Sequence, residues 1–508
     1  MSDQTPSFPP PTVPAEVAPR LRAGLIAANY TVDGLDEILG DRASAALHRG
    51  QPLLALRQVR ESAQPAATLA RLWVFNDPVA GEDLETALPQ VSADELVDAG
   101  LVLLVDGQFV GTCDLRPYGE ETSQWWVVSD LGENVVDGPL PTSHVLGVGG
   151  ASSTLASWTP RPGVVKALDI GTGCGVQSLH LAAHTQSIVA TDLSQRALAY
   201  AQITGALSGL SLDLRLGSLF EPVGDEQFDL VVSNPPYVIT PRRDGVALYE
   251  YRDGGMVGDG IVQHLVENMA DRLKPGGIAQ LMGNWETGPG VSGGDKWQTR
   301  VSGWVEGSGL DAWIIQRQTQ DTAEYAETWA RDGGHRPGTA EFEQVYVDWL
   351  ADFAERGVEE IGFGIITLQK PADDRPAWFS AEAIGHQVAS PVGPTILAGL
   401  RARSWLAHHD DAEVLSVPWS VASDVTEERT FIPGESDPSA IILRQGGGLR
   451  RAIQLDTVMA GLVSALDGEL TPDQLISGIA LLTEVDADAA KASAMPVLRG
   501  LIADGLLT

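Results

Sequence analysis

Two consecutive prolines, Pro235 and Pro236, end the apolar run Val231-Val232-Ser233-Asn234 and limit what this stretch can become. Proline has no N–H for a sheet ladder, and it pushes the residue before it towards an extended conformation. Asn234 and the Pro235 carbonyl therefore belong to a stiff loop at the C-terminal end of a strand. That is the edge at which open α/β sheets hold their ligands. A planar NH2 group placed there can donate one hydrogen bond to the Asn234 side-chain oxygen and another to the Pro235 carbonyl. Tyr237 offers a ring face against the planar group. With both N–H bonds held, the nitrogen lone pair is directed at an electrophile.

The electrophile's place is set upstream. Val164 to Ile170 reads as a buried parallel strand. It runs into Gly171-Thr172-Gly173-Cys174-Gly175 and then a helical pattern from Val176 to Ala183. Glycines let the backbone approach a ligand closely, and a helix N-terminus favours negative charge. A dinucleotide fingerprint spaces its glycines as G-x-G-x-x-G. Here the third glycine comes one residue early, which favours S-adenosylmethionine (SAM) over NAD. A second strand, Ser187 to Thr191, ends in Asp192, at the distance where an acid hydrogen-bonds ribose hydroxyls. Taken singly, the glycine run could be any tight strand–helix turn, Asp192 a helix cap, and Asn-Pro-Pro a plain turn. Their order along the chain favours methyl transfer to nitrogen.

On these residues the stretch from about 160 to 290 resembles the class I SAM-dependent methyltransferases of the Asn-Pro-Pro-Tyr group. It is most similar to the HemK-type enzymes, which methylate a glutamine side-chain amide on a protein. The matching segments are Leu168 to Gly175, Ala190 to Asp192, Leu216 to Phe220 and Phe228 to Tyr237. Tyr249-Glu250 followed by Gly254-Gly255 and Gly258-Asp259-Gly260 matches more loosely. The resemblance implies a seven-stranded Rossmann-like sheet. It implies SAM contacts from Asp169, Gly171, Thr172, Gly173, Gly175, Asp192, Leu193, Ser218, Leu219 and Asn234. Asn234, Pro235 and Tyr237 are the implied catalytic set, and no metal is expected. The sequence departs from the family at Ser218, where an acidic residue is usual near adenine, and at Tyr251, where the family has proline. The nitrogen could instead belong to adenine N6 or guanine N2 of a nucleic acid, or to a small molecule. A non-catalytic SAM-binding module is the remaining alternative.

Charge bears on the acceptor. The net charge is −35 over 508 residues, and each of four successive stretches is acidic. Holding a large nucleic acid by its phosphates needs a Lys/Arg surface. A protein acceptor is therefore favoured, although the Arg242-Arg243 pair could attract a phosphate. Two cysteines exclude a disulfide framework and a cysteine-based zinc site. No apolar run reaches the length of a membrane span and no signal segment is present, so the chain reads as cytoplasmic. Oligomeric state is left open.

Flanking regions are expected to be mainly helical and winged-helix-like. Residues 1–14 read as a disordered Pro-rich tail. An N-terminal unit over 15–150 carries helices and an Asp106-Gly107 hairpin. The methyltransferase unit spans 151–370, with a helical insertion at about 321–357 whose helix bears Phe342, Val345, Trp349 and Phe353 on one face. That face is expected to be core more than acceptor pocket. A C-terminal unit covers 371–508, where the segment Leu475 to Leu482 has no Lys or Arg. Protein contact or packing onto the catalytic domain is therefore expected of it, not contact with DNA. His144 to Thr159 is expected to cover the cofactor or to be a plain linker. Ile261 to Leu273 is expected as one helix.

Overall fold

In a computed structural model, residues 8–508 are described apart from 121–122, 133–134, 137–139 and 243–247. At its centre is a mixed sheet of eight strands. In chain order these are β1 Val164–Ile170, β2 Thr185–Asp192, β3 Asp213–Leu216, β4 Phe228–Ser233, β5 Leu273–Thr287, β6 Asp311–Asp321, β7 Glu360–Gln369 and β8 Phe379–Ala383. Their spatial order is β8-β6-β7-β5-β4-β1-β2-β3. The first five strands run parallel, and β7 is antiparallel to both β5 and β6. The eighth strand, one more than expected, joins β6 in parallel at the edge.

Alternation along β1 and β4 assigns the sheet's two faces. Leu168, Ile170 and Val231 face one core, shared with Val262, Leu265 and Val301. Ala167, Leu230 and Val232 face the other, shared with Leu155, Trp158, Ile396 and Leu400. The covering helices are α1 Gly150–Trp158, α2 Val176–Ala182, α3 Gln195–Ser208, α4 Gly260–Glu267, α5 Trp297–Val305, α6 Thr322–Asp332, α7 Ala340–Arg356 and α8 Gly393–His408. Gly399 on α8 permits a close approach, because a Cβ there would stand 2.5 Å from the Trp313 ring.

The segment Ile261 to Leu273 does not form one helix. α4 ends at Glu267, and Leu273 already pairs with Phe228 as the first residue of β5. Pro275 is accommodated because the β4–β5 register shifts there, between Phe228 and Leu230. α1 occupies much of the expected cofactor cover or linker; it packs Leu155 and Trp158 beneath the sheet.

Six helices between Ala18 and Asp98 precede the hairpin Val102–Gly111 and an antiparallel pair of strands, Asp114–Glu120 and Ser123–Ser129. Their core is continuous with Val176 and Leu179 of α2 and Tyr200, Ile203 and Leu207 of α3. The amides of Val128 and Trp126 donate to Thr204 Oγ1 and Ser208 Oγ, at 3.0 and 3.3 Å. Residues 8–14, expected within a disordered tail, are tied down: Arg196 donates to the Phe8 carbonyl and the Thr12 amide to that of Ala99. Residues 1–7 of that tail lie outside the described residues. Beyond α8, a three-stranded antiparallel sheet and the helices Thr457–Ser464, Pro472–Thr483 and Ala487–Ala503 build a separate core around Leu462, Leu498 and Leu501.

Candidate active site

β1 and β4 are neighbours, and their register sets Ile170 beside Ser233. Ser233 Oγ donates to the Ile170 carbonyl at 2.9 Å, fastening the two strand ends together. The next residues, Gly171 and Asn234, therefore leave the sheet side by side. β1 is flanked by β2 on one side and β4 on the other, so this is where the strand order reverses.

Gly171, Gly173 and Gly175 all take left-handed backbone, with φ of 70°, 56° and 91°, which side chains rarely adopt. Asp169 supports this loop from beneath. It is fully buried, and its Oδ2 accepts hydrogen bonds from Thr172 Oγ1 and Ser178 Oγ, both at 2.7 Å. Burial pushes its carboxyl up to about 6. Thr172 is thus turned towards Asp169, away from the open side of the loop. Above Gly173 a Cβ would meet nothing within 4 Å.

Asp192 stands at the end of β2 and reaches across to the loop. Its Oδ2 accepts from the Gly173 amide at 2.9 Å and its Oδ1 from the Ser194 amide at 2.8 Å. Ser194, not Asp192, occupies the cap position of α3. Burial is the largest cause holding the Asp192 carboxyl above its ordinary range, and the charge of Glu250 adds to it. Leu193 is 72% exposed beside it. Across β3, the Gly217 amide donates to the Asp192 carbonyl at 3.0 Å, which brings Ser218 and Leu219 to the same edge. The Ser218 amide donates to Glu221 Oε2 at 3.2 Å. Leu219 has a φ of 47°, a strained conformation for a leucine.

On the other loop, the Asn234 Oδ1 atom is buried and has no hydrogen-bond partner among the described residues. A buried acceptor left unpaired carries a desolvation cost of about 1–3 kcal/mol. The Pro235 carbonyl accepts from the Tyr237 amide at 2.7 Å, which folds the loop tightly and leaves one lone pair for another donor. Tyr237 is half-buried and pairs with Asp253 through an isolated antiparallel bridge. Burial raises its hydroxyl to about 12, so the ring is neutral at physiological pH.

The loop's exit is held by the helical insertion between β6 and β7. Tyr325 on α6 is fully buried, and its Oη accepts from the Ile239 amide and from Asn284 Nδ2, both at 2.9 Å. Val238, Ile239, Tyr325, Trp349 and Phe353 form one cluster. The α7 aromatics are thus core, as expected, and the core they make backs the Asn-Pro-Pro-Tyr loop. Tyr325 and Asn284 carried no local signal in the sequence, because they reach the loop only through the tertiary fold. Arg242 is not available to a phosphate. It donates to Asp253 at 2.6 Å and to the Met256 carbonyl at 2.7 Å. Arg243 lies outside the described residues. Asp259 is likewise engaged, accepting from Arg300 and from the Glu286 amide.

Among the described residues no group of His, Cys, Asp and Glu could hold a metal ion, and no helix is long and apolar enough to cross a membrane.

This strand order, with a glycine loop and an Asn-Pro-Pro-Tyr loop at its reversal point, defines a class I methyltransferase domain. Residues 147–288 match the family model described as a methyltransferase small domain. Residues 27–111 and 398–508 match two models described only as domains of unknown function. The chain is 40% identical over 126 residues to the release factor glutamine methyltransferase of Geobacter sulfurreducens, covering 23% of this chain and 44% of that one. It is 36% identical over 151 residues to the protein of the same name from Deinococcus radiodurans, covering 27% and 51%. The ribosomal protein uL3 glutamine methyltransferase of Bradyrhizobium diazoefficiens is 33% identical over 153 residues, covering 28% and 46%. The chain thus spans about half the length of the curated relatives it matches.

Proposed function

We propose that this chain transfers a methyl group from SAM to a glutamine side-chain amide on a protein partner. The observation that carries the proposal is the buried, unpaired Asn234 Oδ1 beside the glycine loop. An incoming NH2 group would satisfy it. Relatives that match the domain are named for glutamine methylation of a release factor and of a ribosomal protein.

The residues present fit SAM. Gly171, Gly173 and Gly175 form an open backbone cradle, and Asp192 presents a carboxylate whose oxygens each keep a free lone pair. Leu193 and Leu219 offer apolar surface on the adenine side, and Ser218 supplies a hydroxyl there. Asp169 and Thr172 support the loop from within. When bound, SAM supplies an electrophilic methyl group on a sulfonium.

An amide nitrogen is a poor nucleophile because its lone pair is delocalised into the carbonyl. Asn234 Oδ1 and the Pro235 carbonyl accept its two N–H bonds and favour the pyramidal nitrogen of the transition state over the planar ground state. Tyr237 stacks on the amide plane. Fixed orientation of the nitrogen removes much of the remaining entropic barrier. The proton leaves to solvent afterwards, so no dedicated base is required.

The flanking regions, read from the sequence as 15–150 and 371–508 around a catalytic unit of 151–370, serve protein contact as winged-helix-like modules, the second of them beyond β8 and α8, which pack with the central sheet. Their acidity and the internal pairing of Arg242 weigh against a nucleic-acid acceptor. Incubation with labelled SAM and cell lysate tests the proposal. Label should enter protease-sensitive material. Label confined to nuclease-sensitive material would overturn the assignment.

A further inference from the structure

The C-terminal region carries an apolar groove that methyl transfer does not use. It lies between the helices Thr457–Ser464, Pro472–Thr483 and Ala487–Ala503 and has a volume of about 290 Å³. Its walls include Met459, Leu462, Ile476, Ala480 and Ala490. Two of its lining side chains stand in solvent, Val458 at 55% on the first helix and Val485 at 52% in the loop before the third, and Leu481 and Leu482 are exposed at the end of the second helix outside the groove lining. Isolated exposed leucines are ordinary on protein surfaces, whereas a continuous apolar patch marks a contact surface.

The charge around the groove is one-sided. Residues 456–493 contain seven carboxylates and a single cation, Lys491. Lys491 is already paired with Asp473 at 2.6 Å. Asp456 lines the groove itself, and Glu484, Asp486 and Asp488 are exposed along the loop and helix start beside Val485. An acidic partner would meet uncompensated repulsion here, and an uncharged one would leave the carboxylates unanswered.

We propose that this groove docks a basic amphipathic helix of a partner protein, with its apolar stripe against Val458, Ile479, Val485 and Ala490, above the buried floor of Met459, Leu462 and Ile476, and its Lys/Arg flanks against the acidic rim. Three helices around one groove receive side chains spaced at i, i+3, i+4 and i+7, the helix-in-groove mode of recognition. The acidic rim steers such a partner to the surface, and the apolar floor holds it. This surface is separate from the methyl-transfer site and would hold whether or not the acceptor is a glutamine.

The test uses the full chain and two fluorescein-labelled 18-residue peptides of the same leucine and lysine composition. One has its leucines at helical spacing and the other is scrambled. In fluorescence anisotropy at physiological salt, the amphipathic peptide should bind at least tenfold more tightly than the scrambled one. Ala480→Trp, which fills the groove, and Val485→Glu, which places a charge on an already exposed lining position, should each remove that difference. If Ala480→Trp does not fold, as circular dichroism would report, Val485→Glu decides alone. Equal binding of both peptides would reduce the surface to nonspecific charge and overturn the proposal. So would unaltered binding in the folded variants, or a concentration-dependent dimer abolished by Val485→Glu, which would make the occupant a second copy of this chain.

Discussion

Tyr325 Oη lies 2.9 Å from the amide of Ile239, which donates to it two residues past Tyr237. A side chain from the insertion between β6 and β7 thereby fixes where the Asn-Pro-Pro-Tyr loop ends. Both partners are buried, so the bond cannot be exchanged for water. Tyr325→Phe should leave the Ile239 amide and Asn284 Nδ2 without their acceptor, lowering stability by about 1–3 kcal/mol. SAM affinity should stay within about twofold, because the glycine loop is held by Asp169 and Asp192 on β1 and β2. The KM for the acceptor should rise. Calorimetry and steady-state kinetics on the variant distinguish this from general unfolding, which would weaken both ligands together.

Asp192 holds the Gly173 amide while facing the cradle, so it has two parts to play. Asp192→Ala should remove hydrogen bonds to the cofactor and loosen the loop as well. Loss of charged hydrogen bonds of this kind costs about 1.5–3 kcal/mol. A ten- to hundredfold rise in the SAM dissociation constant is expected by titration calorimetry. An unchanged constant would falsify the placement of the cofactor at this edge.

Much of the catalytic half was legible because its signals are local. The apolar run of β1, the glycine spacing and the Pro-Pro stop each act within a few residues, and the structure places β1 at Val164–Ile170 as read. The start of β5 was misread because Leu273 continues the apolar period of α4. What decides its conformation is pairing with Phe228, 45 residues earlier. Tyr325 and Asn284 were missed for the same kind of reason. A buried tyrosine on an amphipathic helix looks like ordinary core until tertiary structure shows which loop it holds. Arg242, exposed on paper as one of a basic pair, is silenced by Asp253, eleven residues away in sequence.

His180 gives a pH prediction away from the chemistry. It is 4% exposed on α2, with Nδ1 at 2.9 Å from Glu120 and Nε2 at 2.8 Å from the Tyr118 hydroxyl. A neutral ring satisfies both, donating from Nδ1 and accepting at Nε2. Burial drives its pKa down from 6.5 to about 4. The unfolded chain therefore takes up a proton at this residue as pH falls below about 6.5, while the folded chain does not until about 4. Stability should fall across that window as the solution is acidified, and the loss should level off below it. His180→Gln should flatten this part of the profile in denaturant titrations. A His180 ring that titrates near 6.5 by NMR in the folded protein would contradict it.

The sharpest test of the mechanism is Asn234. Its Oδ1 is a buried acceptor without a partner among the described residues, while the cradle for SAM is built by separate residues on the β1 and β2 loops. Binding and turnover should therefore come apart. Asn234→Ala should leave SAM affinity nearly intact and lower the single-turnover rate by about two to three orders of magnitude, the scale seen when one preorganised transition-state contact is lost. Removing an unpaired buried acceptor should also leave stability unchanged or slightly raised, since its desolvation cost disappears with it. Tyr237→Ala should behave differently, weakening acceptor binding more than the rate at saturation, because stacking holds the ground state too. Retention of the full single-turnover rate in Asn234→Ala would make the loop structural. Loss of SAM binding in the same variant would place Asn234 in the cofactor pocket and end the proposed division of labour.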